Sequence, residues 1–102
     1  DVNMLIDDMF LDLGYGYKVA LREVYAMFPM NLAPVKEMYR EYWRQGKVYR
    51  ATKGRKAKSF LLLQNGWTFV SALSTDELNE RIWEMRRIRK AKESLMEVGT
   101  DA

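Results

Sequence analysis

The chain has 102 residues and a formal net charge of +3, and its 48% hydrophobic and 30% charged residues are ordinary for one globular domain. It contains no cysteine and no histidine, which excludes disulfides, thiolate nucleophiles, cysteine-bound zinc and the commonest general base. We predict no metal site, no cofactor and no catalysis, since Asp7, Asp8 and Asp12 fit no recognisable catalytic motif. No apolar run approaches the roughly 20 residues of a membrane span, and no signal peptide is recognisable, so we expect a cytoplasmic protein without membrane contact.

The charge is unevenly distributed along the chain. Residues 32–60 carry nine lysines and arginines against two glutamates, whereas residues 1–31 and 61–102 each carry more acids than bases. A basic middle segment between acidic flanks indicates one face that binds a polyanion. The alternative is a lysine-rich surface that serves only solubility.

Two helices are predicted before residue 30, because apolar residues recur there at helical spacing. The apolar residues of the first helix are Leu5, Ile6, Met9, Phe10 and Leu13. Those of the second helix are Tyr17, Ala20, Leu21, Val24, Tyr25 and Phe28. We expect Gly14 and Gly16 to end the first helix and Pro29 to end the second.

A third helix is predicted between Pro34, which suits a first helical turn, and Gly46, which is placed to end the helix. Val35, Tyr39 and Tyr42 lie at positions i, i+4 and i+7 of this segment. They therefore share one side of the helix, and we expect that side to be buried.

The character of the sequence changes after the third helix, and a β-hairpin is predicted. Residues 47–52 alternate, with Val48 and Arg50 on one side and Tyr49 and Ala51 on the other. Residues 58–64 contain a run of apolar residues typical of a strand. Between them, residues 53–56 are three basic residues and a glycine, which we expect to form a turn. We therefore expect the two strands to pair with each other around this basic turn.

The last part of the chain holds a second turn signal and a long helix. Asn65-Gly66 between apolar runs is a strong hairpin signal, so residues 67–72 could form a third strand. They could equally form a short helix, and the pattern leaves both possibilities open. A long helix is then predicted from residue 74 or 75 to Val98, with Gly99 ending it.

This order of elements resembles the winged helix-turn-helix domain of small DNA-binding regulators. The segment at residues 35–50, VKEMYREYWRQGKVYR, is similar to the recognition helix and first wing strand of PadR-like and MarR-like regulators, and KAKSFLLLQNG at residues 56–66 to the second wing strand. The resemblance covers about residues 17–66. It implies an α+β, mostly α fold with three helices, a hairpin wing and a long C-terminal helix. The implied division is a winged-helix domain over residues 1–73, followed by a dimerisation helix and tail over residues 74–102.

The third helix is the candidate DNA reader, because an α-helix fits the major groove and contacts base edges through exposed side chains. With its apolar side buried, the exposed side of residues 33–45 consists of Ala33, Lys36, Glu37, Arg40 and Arg44. Arg40 can bind guanine through two hydrogen bonds, and Glu37 can accept one from cytosine. The alternative is that Glu37 and Glu41 only pair with arginines of the same helix.

The predicted wing carries a second set of candidate DNA-binding residues. These are Lys53, Gly54, Arg55, Lys56 and Lys58. We expect the wing to contact phosphate or enter the minor groove, unless its charge serves only solubility. The nearby aromatic residues could stack on unpaired bases, but their spacing is more typical of a core. They are Tyr39, Tyr42, Trp43, Tyr49 and Trp67. Trp43 is the exception, because it lies off the side that Val35 and Tyr42 share.

The apolar residues of the C-terminal helix repeat too closely for one straight face, so they are divided between two contacts. Leu78, Ile82 and Met85 are expected to pack on the chain's own domain. The remaining residues would meet a second copy of the chain in a homodimer. They are Ile88, Ala91, Leu95 and Val98.

Together these features predict a sequence-specific regulator of transcription that binds double-stranded DNA as a homodimer. One alternative is a replication, partition or architectural protein that binds DNA through the same surface. Another is a winged helix used for protein interaction, against which the basic middle segment argues.

Overall fold

The computed structural model describes the backbone of residues 9–101 and the side chains of residues 9–96. Six strands and two α-helices make up this part of the chain, with a 3-10 turn at Leu21–Glu23. In chain order they are β1 (Phe10–Gly14), β2 (Tyr17–Ala20), β3 (Val24–Pro29), α1 (Ala33–Arg44), β4 (Val48–Ala51), β5 (Ser59–Leu63), β6 (Thr68–Ser71) and α2 (Thr75–Asp101).

The two helices predicted before residue 30 are wrong in the described part of the chain, where β1, β2 and β3 lie instead. Leu5 and Ile6 of the first predicted helix lie outside the described residues. Gly14 and Gly16 have φ angles of 88° and 91°, which make a tight turn and send β2 back antiparallel along β1. The apolar spacing there fits an alternating strand as well as a helix, and valine and aromatic residues favour strands.

The four-stranded sheet has the order β3-β5-β6-β4, in which β4 runs parallel to β6 and the other neighbours are antiparallel. The predicted hairpin of β4 with β5 is therefore wrong, because β6 lies between them. The turn at Asn65-Gly66 explains this order: Leu63 donates to the Trp67 carbonyl at 2.9 Å, and Asn65 Oδ1 accepts from the Trp67 amide at 3.0 Å. This turn pairs β6 with β5, and residues 68–71 are accordingly a strand, one of the two possibilities left open.

The sheet is covered on both faces, which gives the molecule three layers. On one face, α1 packs Val35 against Phe60 and Val70, with Tyr39 and Tyr42 beside them, as the spacing predicted. On the other face, the β1–β2 hairpin and the start of α2 enclose a second apolar cluster. Its most deeply buried members are Leu11, Leu13, Ala51, Leu61 and Leu78.

The first half of α2 packs on this core as predicted, with Leu78 and Ile82 buried and Met85 partly buried. The helix does not end at Gly99 but continues to Asp101. The winged helix-turn-helix fold is wrong for this chain, because the described residues are mostly β, with two α-helices in place of the expected four.

Two serines on neighbouring strands differ in how their buried hydroxyls are satisfied. Ser71 Oγ donates to the Leu13 carbonyl at 2.9 Å and accepts from the Leu73 amide at 3.0 Å, which ties β6 to the β1–β2 hairpin. Ser59 lies opposite Ser71 in the β5–β6 register and is equally buried, but its hydroxyl has no hydrogen-bond partner among the described residues.

We predict that Ser71→Ala lowers the free energy of unfolding by about 1–3 kcal/mol, because it leaves a buried carbonyl and amide unsatisfied. Ser59→Ala is the matched control and should change stability by less than about 0.5 kcal/mol or raise it, since it removes only a hydroxyl without a partner. Urea unfolding followed by circular dichroism measures both variants. Equal losses in the two would contradict the role assigned to the Ser71 hydroxyl.

Candidate nucleic-acid interface

The apolar side of α1 packs on the sheet, and this packing determines which side of the helix faces solvent. The ring centroids of Tyr39 and Tyr42 lie 6.3 and 5.9 Å from that of Phe60. The side chains on the opposite side are all exposed, and they are the five predicted as DNA-contacting: Ala33, Lys36, Glu37, Arg40 and Arg44. Helical periodicity therefore placed this surface correctly, although the fold around it is not a winged helix.

The two arginines of this surface are paired with glutamates of the same helix. Arg40 binds Glu37, and Arg44 Nη1 lies 2.8 Å from Glu41 Oε2. Because all four side chains are largely exposed, each pair is worth at most about 1 kcal/mol, and an incoming phosphate or base could replace the carboxylate. Pairing of these glutamates with arginines of the same helix was the alternative to base contact, and it is present in the structure without DNA.

Aromatic residues divide between core and surface. Tyr39 and Tyr42 belong to the cluster beneath α1, as expected. Trp43 is exposed and lies next to Tyr39, with ring centroids 6.0 Å apart. Tyr49 and Trp67 are also exposed, so the expectation that they would be core residues is wrong.

The residues of the predicted wing lie in the loop that connects β4 to β5, which crosses the sheet because β6 separates these strands. Lys53 and Gly54 have φ angles of 50° and 81°, and the Arg55 amide donates to the Thr52 carbonyl at 3.0 Å, which closes a tight turn. The Arg55 guanidinium lies over the Tyr15 ring, 3.8 Å from its centroid. This cation–π contact holds the loop against the β1–β2 turn.

The loop and α1 converge on a cavity of about 420 Å³. Lys36 from α1 lines it together with Lys56 and Lys58 from the loop, and Asp76 from the start of α2 lines it as well. None of the three lysines forms an ion pair with a described residue. The structure thus unites part of the two predicted basic sets, whereas Lys53, Arg40 and Arg44 lie outside the cavity.

The predicted dimer residues are exposed in the single chain where their side chains are described. Ile88 and Leu95 are 48% and 72% exposed, and Ala91 is exposed as well. The side chain of Val98 lies outside the described residues. Trp83 and Met96 add further exposed apolar surface to the same helix.

Comparison with known proteins matches residues 10–82 to the family model RemA-like, described as extracellular matrix regulatory protein A-like. The chain belongs to this family. It is 31% identical over 80 residues to a protein of Thermodesulfovibrio yellowstonii, which covers 78% of this chain and 94% of that protein. It is 32% identical over 71 residues to a protein of Desulfatibacillum aliphaticivorans, which covers 70% and 80%. Both relatives are named "putative regulatory protein". The expected membership of the PadR-like and MarR-like regulators is wrong.

The RemA-like match covers both basic elements, and it ends at Ile82, in the part of α2 that packs on the core. Sequence reasoning missed two residues of the site. Tyr15, the support of Arg55, stands between two glycines in a turn, which is a signal for an exposed side chain. Asp76 lies in the first turn of α2, and nothing in the local sequence indicates that it lines the same cavity as Lys36.

Among the described residues, no group of three or more aspartate or glutamate side chains could hold a metal ion. Neither of the helices in this part of the chain is long and apolar enough to cross a membrane.

Proposed function

We propose that this RemA-like chain is a transcriptional regulator that binds double-stranded DNA. The observation that carries the proposal is the convergence of Lys36, Lys56 and Lys58, all without ion-pair partners among the described residues, on one side of the molecule. The nine basic residues of the segment 32–60 all belong to α1, β4 or the stretches of chain beside them. Such a concentration of cations binds the DNA backbone and releases its counterions. The names of the relatives support a regulatory role.

The two elements that carry the basic residues, α1 and the β4–β5 loop, suit different parts of the duplex. The exposed side of α1 is about 18 Å long, and a single helix fits the major groove. Because the cavity joins Lys36 to the β4–β5 loop, the loop lies beside the N-terminal end of α1. We assign Arg40 and Arg44 to base edges and the loop lysines to the phosphates that border the groove. This arrangement needs no winged helix. A regulator that binds DNA in this way would act in the cytoplasm, and we propose that location for the chain.

A footprint on DNA around the chain's own gene tests this function. A protected site of defined sequence supports a regulator. Uniform coverage would instead favour an architectural protein that uses the same surface.

The affinity for DNA is predicted to fall steeply with salt. If about six phosphates are neutralised per dimer, the logarithm of the association constant should fall against the logarithm of salt concentration with a slope of about −5. Fluorescence anisotropy of a labelled duplex between roughly 50 and 200 mM salt measures the slope. A flat dependence would remove nucleic acid as the partner.

Arg40→Ala should alter the preferred sequence, with a loss of about 1–3 kcal/mol at one base position. Lys53→Asn should weaken binding to all sequences alike and reduce the salt slope by about 1. Asparagine is chosen because it tolerates the left-handed conformation of Lys53 while removing the charge. Selection from a randomised duplex library reports the sequence preference.

Arg87→Ala is the matched control, because Arg87 forms the same i,i+3 pair with Glu84 on α2 that Arg40 forms with Glu37 on α1. It should change neither preference nor slope. If Arg40→Ala behaves like Arg87→Ala, α1 does not contact the bases.

We further propose that the chain assembles as a homodimer through the second half of α2. This 27-residue helix is about 40 Å long, and its contacts with the core of the described residues come from its first turns. Beyond Met85 the helix still carries Ile88 and Leu95, both exposed in the single chain. A second copy would bury these side chains and would present two basic surfaces to a two-fold site on DNA.

Leu95→Glu is predicted to convert the dimer to a monomer without unfolding the domain, since a carboxylate in an apolar contact costs several kcal/mol unless it is paired. DNA binding should weaken sharply, because one surface alone would hold each half-site. Ser94→Glu is the control, as it adds the same charge to the adjacent exposed position. Sedimentation measures the assembly and circular dichroism the folding. A wild-type chain that sediments as a monomer at micromolar concentration would contradict the dimer.

A further inference from the structure

The cavity between α1, the β4–β5 loop and α2 has features that DNA contact alone does not require. Its volume of about 420 Å³ falls in the range of small-molecule pockets, roughly 300–1,000 Å³. Pro29, Met30 and Ala57 contribute apolar surface to its lining and are themselves partly buried. A phosphate of a duplex backbone could pair with the lysines, but it would leave the apolar part of the cavity unfilled.

The charges around the cavity favour an anion. Lys36, Lys56 and Lys58 come from two separate elements, and Asp76 is the one acidic side chain that lines the cavity among the described residues. Three cations against one carboxylate leave a positive potential in a concave site, where field lines concentrate.

The start of α2 adds to this potential, although it is not what defines the site. Ser74 Oγ accepts from the Glu77 amide at 3.1 Å, so the side chain that caps the helix is already used. The amides of Thr75 and Asp76 come earlier in the first turn and have no acceptor within the helix. Both residues line the cavity.

We propose that this cavity binds a phosphorylated small molecule, with the phosphates on the three lysines and the organic part on Pro29, Met30 and Ala57. Lysine ammonium groups bind phosphate as point charges, and partly apolar walls suit the non-ionic part of such a ligand. The same lysines belong to the surface assigned to DNA, so the ligand would compete with the duplex. That consequence rests on the proposed function, whereas binding of the ligand itself does not.

Isothermal titration of the full chain with ATP, in the absence of DNA, tests the binding directly. We expect one saturable site per chain, with adenosine showing no binding and inorganic triphosphate binding more weakly than ATP because it cannot use the apolar surface. No binding of ATP, or equal affinity for ATP and triphosphate, would overturn the proposal.

Variants with opposite expected effects locate the site. Lys36→Gln and Lys58→Gln should each weaken ATP binding roughly tenfold, since each removes a charge-assisted contact. Asp76→Asn should tighten it about two- to fivefold by removing the opposing charge. Lys90→Gln is the control, because it makes the same charge change on α2 at a position about 20 Å along the helix from Asp76. If Lys90→Gln weakens binding as much as Lys36→Gln does, the attraction is diffuse and no site exists.

A competition experiment with a labelled DNA duplex distinguishes failure of this proposal from failure of the proposed function. If ATP binds and displaces a labelled duplex, both stand. If ATP binds but no duplex does, the DNA function fails and the cavity stands. If Lys36→Gln weakens only duplex binding and ATP does not bind, the lysines serve DNA phosphates and the small-molecule site is overturned.

Discussion

The position of the basic residues in this molecule depends on one turn, at Asn65 and Gly66. The turn pairs β6 with one side of β5 while β3 occupies the other side, so β5 has no edge left for β4. β4 is therefore placed beyond β6, parallel to it, and its connection back to β5 must cross the end of the sheet. That crossing brings Lys56 and Lys58 next to Lys36. In a simple β4–β5 hairpin the same residues would project away from the sheet.

The elements that the sequence predicts correctly are those determined by local signals. Pro34 and Gly46 bracket α1, the serine at position 74 caps α2, and helical spacing identifies their buried sides. The N-terminal strands were not predictable in this way, because short apolar segments fit periods of both 3.6 and 2. Between such alternatives the decision comes from tertiary packing, here the burial of Leu11 and Leu13 beneath α2.

In the candidate site, too, one part follows from local signals and the other depends on tertiary packing. The exposed side of α1 follows from the buried side, so its basic residues were identifiable from spacing alone. The cavity was not, because it needs a parallel strand pair between β4 and β6, and pairing between segments distant in sequence leaves no local pattern. Asp76 joins the site only because the start of α2 lies beside the crossing loop.

The glutamates of α1 give its arginines a role different from that of the lysines. Arg40 and Arg44 are each held along the helix by a carboxylate, and their charge is largely balanced in the free chain. The three cavity lysines have no such partner among the described residues, so no carboxylate of the helix balances their charge. A polyanion would accordingly be attracted more strongly to these lysines than to the paired arginines. Arg40 and Arg44 could then exchange a glutamate for a base, which separates attraction by charge from recognition by geometry.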